Sequence, residues 1–273
     1  MPTNSPGRGS SWLEPPRGRY VYLVRSRRTH GISVGIDLTS AGSCPLRCDY
    51  CQVDRTCAPP SPRAIDLRIL RDELVDALKR LGPDASDVAF AGAGEPTWSP
   101  SFCDALAVAV DQARAHAPPL PVRVFTSGVL LHHDRMRAAL VALRARHHGE
   151  VWVKLDSWDD RSLARIAGIR GQNVHELRIA HLARYVPVVL QTMVARRADG
   201  PSIEDVARGL SCAVARLVAR GAQIDRVTLT TLFRPPGAPT KDLSPATAAD
   251  LALVARALTA SGVEVDVAAT DET

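Results

Sequence analysis

Residues 31–57 read GISVGIDLTSAGSCPLRCDYCQVDRTC. A strand-like run over 32–38 feeds a polar loop that carries Cys44, Cys48 and Cys51, spaced Cys-x3-Cys-x2-Cys, with Tyr50 directly before the third thiol. Three thiols this close along a loop can converge on one inorganic centre. They can satisfy three irons of a cubane and leave the fourth open, and an open position separates a catalytic centre from a closed structural one. Two blander readings use Cys57 as a fourth ligand: a zinc site, or a ferredoxin-type electron carrier. Plant-type ferredoxins space the first two thiols one residue further apart.

Working outward, the chain alternates between two periodicities. Apolar runs at 20–24, 87–91, 122–126, 151–155, 186–194, 227–233 and 263–267 read as strands. Helical patterns fall between them at 66–81, 99–116, 131–147, 159–167, 174–184, 203–220 and 244–260. Gly82, Gly221 and Gly262 stand as stops, and Ser99-Pro100 and Ser244-Pro245 have the form of an N-cap followed by a first-turn proline. The result is about six β–α units with uniformly apolar strands, the mark of a parallel sheet covered by helices. The fold class is therefore α/β, a partial (β/α)6 TIM-type barrel with parallel strands in a single domain. A doubly wound sheet is the alternative. In both, chemistry belongs at the carboxyl ends of the strands, and the unusual residues fall there. The cysteines follow the first strand of the series and Gly94-Glu95-Pro96 the second. Ser127-Gly128 follows the third and Asp156 ends the fourth. Gln191 lies in the fifth, and Arg234 ends the sixth.

With 273 residues the chain can bury a substantial core. No apolar run approaches the length of a membrane span, and the polar N-terminus lacks the apolar stretch of a signal peptide, so the expected location is cytoplasmic. In such a location the six cysteines need no disulfide framework and the clustered ones read as metal ligands, whereas Cys103 and Cys212, in helical patterns, read as buried, inert thiols. The net charge of +5 is carried by residues 1–28, where six arginines face Glu14 alone; the rest of the chain balances to zero. Residues 1–25 read as a basic, flexible arm suited to a polyanion such as RNA, or as a solvated tail, and residues 26–273 as the core domain.

The cysteine motif resembles that of the radical S-adenosylmethionine superfamily, and Ala93-Gly94-Glu95-Pro96 is similar to its second, glycine-glutamate motif. SRRTHGISVGIDLT, DYCQVDRT, FAGAGEPT and VKLDSW together resemble the small Fe–S oxidoreductase-like proteins grouped with wyosine synthetases, over residues 26–236. The resemblance implies a 4Fe–4S cluster on Cys44, Cys48 and Cys51, with S-adenosyl-L-methionine chelating the open iron. It implies reductive cleavage to methionine and a 5′-deoxyadenosyl radical that abstracts hydrogen from substrate. By position, Glu95 pairs with the cofactor ammonium, Gly94 allows close backbone approach, and Lys154 and Asp156 serve the carboxylate and ribose. Tyr50 serves the adenine, with Ser127 and Gln191 as further carry-overs. Lys154 reads equally as a snorkelling strand residue and Asp156 as a helix cap. No second cluster motif and no fused flavodoxin-like domain is seen, which implies an external one-electron reductant of flavodoxin or ferredoxin type. An RNA base is the leading substrate class; a peptide, a small metabolite, or a non-catalytic electron carrier are the rivals.

Overall fold

The computed structural model describes residues 18–27, 31–39, 44–53, 64–233, 236 and 242–268. Strands β1 (Val21–Ser26) and β2 (Gly31–Ile36) open the fold, followed by α1 (Leu67–Leu81), β3 (Ala85–Phe90), α2 (Phe102–Ala115), β4 (Val122–Thr126), α3 (Asp134–His147) and β5 (Glu150–Lys154). Helices α4 (Asp160–Ala167) and α5 (Gln172–Ala183) lead to β6 (Val188–Met193) and the short β7 (Ala195–Arg197). The chain then runs through α6 (Ile203–Ala219), β8 (Ile224–Thr230), β9 (Leu243–Pro245), α7 (Ala248–Thr259) and β10 (Val265–Val267). No helix among the described residues is long and apolar enough to cross a membrane.

Local sequence explains most of these boundaries. Asp66 caps α1 by accepting from the backbone N–H groups of Arg68 and Ile69; Leu70, Leu74 and Leu78 form its buried stripe, and Gly82 ends it at φ +51°. Asp159 and Ser162 form a reciprocal capping box at α4, and Gly168 takes the left-handed conformation at its end. Two expected starts move. Residues 96–98 form a 3-10 turn capped by the Glu95 side chain, and α2 starts behind Ser101 rather than at Ser99-Pro100. Ser244 and Pro245 lie in β9, antiparallel to β7, and Thr247 caps α7 with Asp250. A proline has no N–H to give, so it suits an edge ribbon as well as a first helical turn.

The main sheet runs β1-β2-β3-β4-β5-β6-β8-β10, with β1 antiparallel to β2 and every other pair parallel. The order never reverses, whereas a doubly wound sheet requires a reversal. Among the described residues, the six helices that pack on the sheet do so on one face. Val34, Ile36, Val88, Phe90, Val124, Val153, Leu190 and Leu229 pack in one core with α1, α2, α3, α5, α6 and α7. The opposite face holds a cluster of strand residues alone, Ala89, Phe125, Trp152 and Val189. That is the interior of a curled, open half-barrel.

Below this plug, at the N-terminal ends of the strands, the same face carries charge. Arg123 is ion-paired to fully buried Asp87 and, at 2.7 Å, to Glu150, which also accepts from Trp152 Nε1 at 2.9 Å and lies 3.3 Å from Arg226. Burial pushes the Glu150 carboxyl up, but the Arg123 and Trp152 hydrogen bonds outweigh it and hold the group below its ordinary range. The floor is closed by ion pairs and the middle by aromatic rings, which leaves the C-terminal rim as the accessible end. Residues 18–25 of the expected arm belong to this core: β1 pairs with β2, and Glu73 accepts from the backbone N–H groups of Arg19, Tyr20 and Val21.

Candidate functional site

The cysteine loop lies on the rim, held from two sides. Its backbone N–H groups at Arg47 and Asp49 donate to the carbonyls of Ala167 (3.1 Å) and Ile166 (2.9 Å), in the last turn of α4. A helix end has no internal partners for these carbonyls, so loop and helix satisfy one another. On the other side Arg197 of β7 donates to Asp49 Oδ2 at 2.7 and 3.2 Å, with the two side chains 10% and 19% exposed. Tyr50 packs with Ile166, Ala195 and Leu232, and Cys48, Met193 and Leu243 border that cluster. Cys44, Cys48 and Cys51 form no disulfide and are at intermediate exposure. Burial pushes the Cys48 thiol up to about 11, with Lys154 pulling the other way. Among the described residues no three His, Cys, Asp or Glu side chains are gathered tightly enough for a single metal ion. Cys57, the fourth ligand of the zinc and ferredoxin readings, lies outside the described residues, as do Arg234 and residues 1–17 of the basic arm.

The other sequence candidates gather around this loop. The Tyr50 hydroxyl donates to Asp156 Oδ2, while Asp156 Oδ1 accepts from the Met193 N–H at 2.7 Å. Asp156 therefore ties the cysteine loop to the end of β6, and the helix-capping role belongs to Asp159. Lys154 Nζ lies 3.4 Å from the Tyr50 hydroxyl and 5.1 Å from its ring centroid. No described carboxylate forms a salt bridge with Lys154. Gln191 is its register partner across the β5–β6 ladder and is buried.

Glu95 is 4% exposed and acts as a hub. Its Oε1 accepts from Thr97 N (3.2 Å), Thr97 Oγ1 (2.5 Å) and Thr126 Oγ1 (2.6 Å), and its Oε2 accepts from Ser127 N at 2.6 Å. The loop after β3 is thereby fastened to the end of β4, and Ser127 enters the site as a backbone donor to that carboxylate. The glycine whose backbone freedom this loop requires is Gly92, at φ +137°, beside Gly94 of the expected pair. A Cβ on Gly92 would come within 2.5 Å of Asp37 Cγ.

Two site residues escaped the sequence reading. Asp37, at the end of β2, accepts from Thr39 N (2.9 Å), Thr39 Oγ1 (2.8 Å) and Ala93 N (3.0 Å), joining the first two rim loops. A carboxylate directly after an apolar strand is a signal that could have found it. His175 of α5 is 5% exposed and lines the rim pocket with Leu46, Cys48, Tyr50, Lys154 and Asp156. Nothing in its local pattern marks it. Trp158 packs over Gly209 of α6 in the outer core, and Cys212 is exposed, against the expectation of a buried thiol.

Residues 38–208 match the family model described as "Radical SAM superfamily". No curated protein matches the chain. Among solved structures, a radical SAM methyltransferase from Sphaerobacter thermophilus superimposes with a TM-score of 0.63 at 17% identity, over 90% of this chain and 67% of that one. Streptococcus suis SuiB bound to precursor peptide SuiA gives 0.59 at 12% identity, over 88% of this chain and 49% of its own length. TYW1 with a lysine-pyruvate adduct bound gives 0.52 at 16% identity, covering 84% and 73%. The chain thus spans about two thirds of the first and half of the second. At these identities the likeness is one of fold.

Proposed function

The chain belongs to the radical SAM superfamily, and from that premise we propose that it reductively cleaves S-adenosyl-L-methionine to start a hydrogen abstraction on its substrate. The observation that carries the reading is the anchoring of Cys44, Cys48 and Cys51 on the open rim beside Lys154, a cation without a described carboxylate partner. The residues present fit a 4Fe–4S cluster: three thiols on one loop, none of them in a disulfide, with Cys48 bordered by Tyr50, Leu232 and Met193, which shield that side from water. When bound, the cluster supplies the electron that breaks the sulfonium C–S bond, giving methionine and a 5′-deoxyadenosyl radical.

The chain's own side chains do the positioning. Lys154 offers a charge-assisted hydrogen bond to the cofactor carboxylate. Glu95 keeps lone-pair capacity on Oε2 for the ammonium while its other bonds hold the loop that carries Gly94 in place. Asp156 fixes Tyr50 against the ligand pocket, which Ser127 also lines, and Gln191, paired in register with Lys154, is the further proposed cofactor residue. The electron comes from a separate flavodoxin- or ferredoxin-type reductant, and reduced thiols suit a cytoplasmic setting. The proposed substrate class is an RNA base, supported by the charge of residues 1–28.

Anaerobic reconstitution with iron, sulfide and dithionite should yield 5′-deoxyadenosine from S-adenosyl-L-methionine, and Cys48→Ser should abolish it. An intact cluster that yields none, and is lost in Cys57→Ala, sinks the proposal in favour of an electron carrier. A rise in 5′-deoxyadenosine with RNA, and not with peptides or metabolites, supports the substrate class. The reverse pattern replaces it.

A further inference from the structure

His175 sits in the first turn of α5 with its ring under the rim. Its Nε2 lies 3.1 Å from the carbonyl oxygen of Lys154, and a carbonyl only accepts, so Nε2 carries the proton. Burial keeps the ring neutral by holding its pKa below the ordinary histidine range, against the Lys154 carbonyl bond, which raises it. The other ring nitrogen, Nδ1, is therefore a bare lone pair. It is buried and has no partner, although buried polar atoms are nearly always paired.

The rest of the pocket says what would complete it. Its walls are apolar on the α4 side, at Leu163, Ile166 and Ile169. Both Asp156 oxygens are taken, and Ser157 Oγ already donates to Gln172 at 2.6 Å. What remains open is an acceptor (His175 Nδ1), a cation (Lys154) and the hydroxyl of Ser127, which only accepts, from Val129 N at 3.5 Å. A cationic donor is repelled by Lys154, so the group that suits Nδ1 is a neutral N–H or O–H on a flat, largely apolar body. In S-adenosyl-L-methionine the neutral donors, the adenine amine and the ribose hydroxyls, all lie on the nucleoside half. The methionine half carries an ammonium and a carboxylate instead.

We propose that His175 is a cofactor-positioning residue of this chain, whose Nδ1 accepts a hydrogen bond from the nucleoside part of S-adenosyl-L-methionine in the rim pocket. The inference rests on the proposed function above.

Two substitutions separate the two ring nitrogens. In His175→Gln the side-chain amide can still donate to the Lys154 carbonyl, as Nε2 does, but nothing replaces Nδ1. In His175→Asn the side-chain oxygen falls near Nδ1, while the bond to Lys154 is lost. Titration calorimetry of anaerobically reconstituted protein with S-adenosyl-L-methionine should give a Kd raised about fivefold to tenfold in the glutamine variant. Its melting temperature should stay near that of wild type. The asparagine variant should bind within about twofold of wild type but melt earlier. Glutamine binding like wild type, or both variants weakened alike, overturns the proposal and leaves a structural histidine satisfied by water. As a check free of folding defects, the 15N-histidine resonance missing from the glutamine variant should move when the cofactor is added to wild type; no movement also overturns it. Wild-type protein with an intact cluster that binds no cofactor fails at the proposed function itself, since there is then no affinity to lose.

Discussion

Replacing Arg197 by methionine removes the cation that holds the cysteine loop from the β7 side and leaves Asp49 without its partner. The stem of the side chain is kept, so the loss is mainly of charge. Stranding one member of a fully buried pair costs about 3–5 kcal/mol. Here the Asp49 side chain is 19% exposed, and one of its oxygens, Oδ1, already lacks a partner. The stranded carboxylate can also escape by taking up a proton, which from an ordinary aspartate costs roughly 4 kcal/mol at pH 7. Turning toward water costs less than either, so about 2–3 kcal/mol is expected, or roughly 5–10 °C in melting temperature for a chain of this size. Because Asp49 lies between two cysteines of the motif, iron retention should fall with stability. Burial already pushes the Asp49 carboxyl up despite Arg197. In the variant it rises further, and a raised carboxyl destabilises only while ionised. The deficit should therefore be full near neutral pH and vanish as pH falls toward the unfolded value of about 4. The assay is thermal unfolding and iron content of Arg197→Met, Asp49→Asn and the double variant across pH. A double variant no more stable than Arg197→Met, or an Arg197→Met protein that melts with wild type and keeps its iron, would refute the reasoning.

Other sites give sharper, smaller tests. Glu95→Gln keeps the shape of the hub but turns an N–H₂ toward either Ser127 N or the Thr97 and Thr126 donors, so about 1–3 kcal/mol should be lost in denaturant unfolding, even without cofactor. Gly92→Ala meets both an unfavourable φ of +137° and the Asp37 side chain, whose Cβ would lie 2.7 Å away; a loss of about 2–4 kcal/mol is expected in denaturant unfolding, and it is not regained when Asp37 is also cut to alanine, which keeps that Cβ. Cys48, with its thiol pushed from 9.0 to about 11 by burial, stabilises the metal-free fold fully below pH 9, a contribution lost as pH rises through 11. Metal-free protein should therefore lose on the order of 2–3 kcal/mol across that window, and Cys48→Ala should flatten the loss in chemical-denaturation curves.

The sequence by itself determined whatever depends on near neighbours. The leucines of α1 and the Asp159–Ser162 box act within a turn or two of helix, and the three thiols lie within one loop, so spacing alone reveals them. The alternation of strands and helices likewise predicts a parallel α/β sheet and places Glu95 and Asp156 at strand ends. It leaves barrel and doubly wound sheet both open, because each satisfies the same local pattern. The tertiary structure decided between them, through an unreversed strand order and helices on one face. Only the fold brings Arg197 to Asp49 across 148 residues, stacks Arg123 and Glu150 beneath an aromatic plug inside strands that read as apolar, and sets His175 under the rim. Such contacts depend on how the sheet curls and which helix end meets which loop. Those are properties of chain closure, and no periodicity along the sequence encodes them.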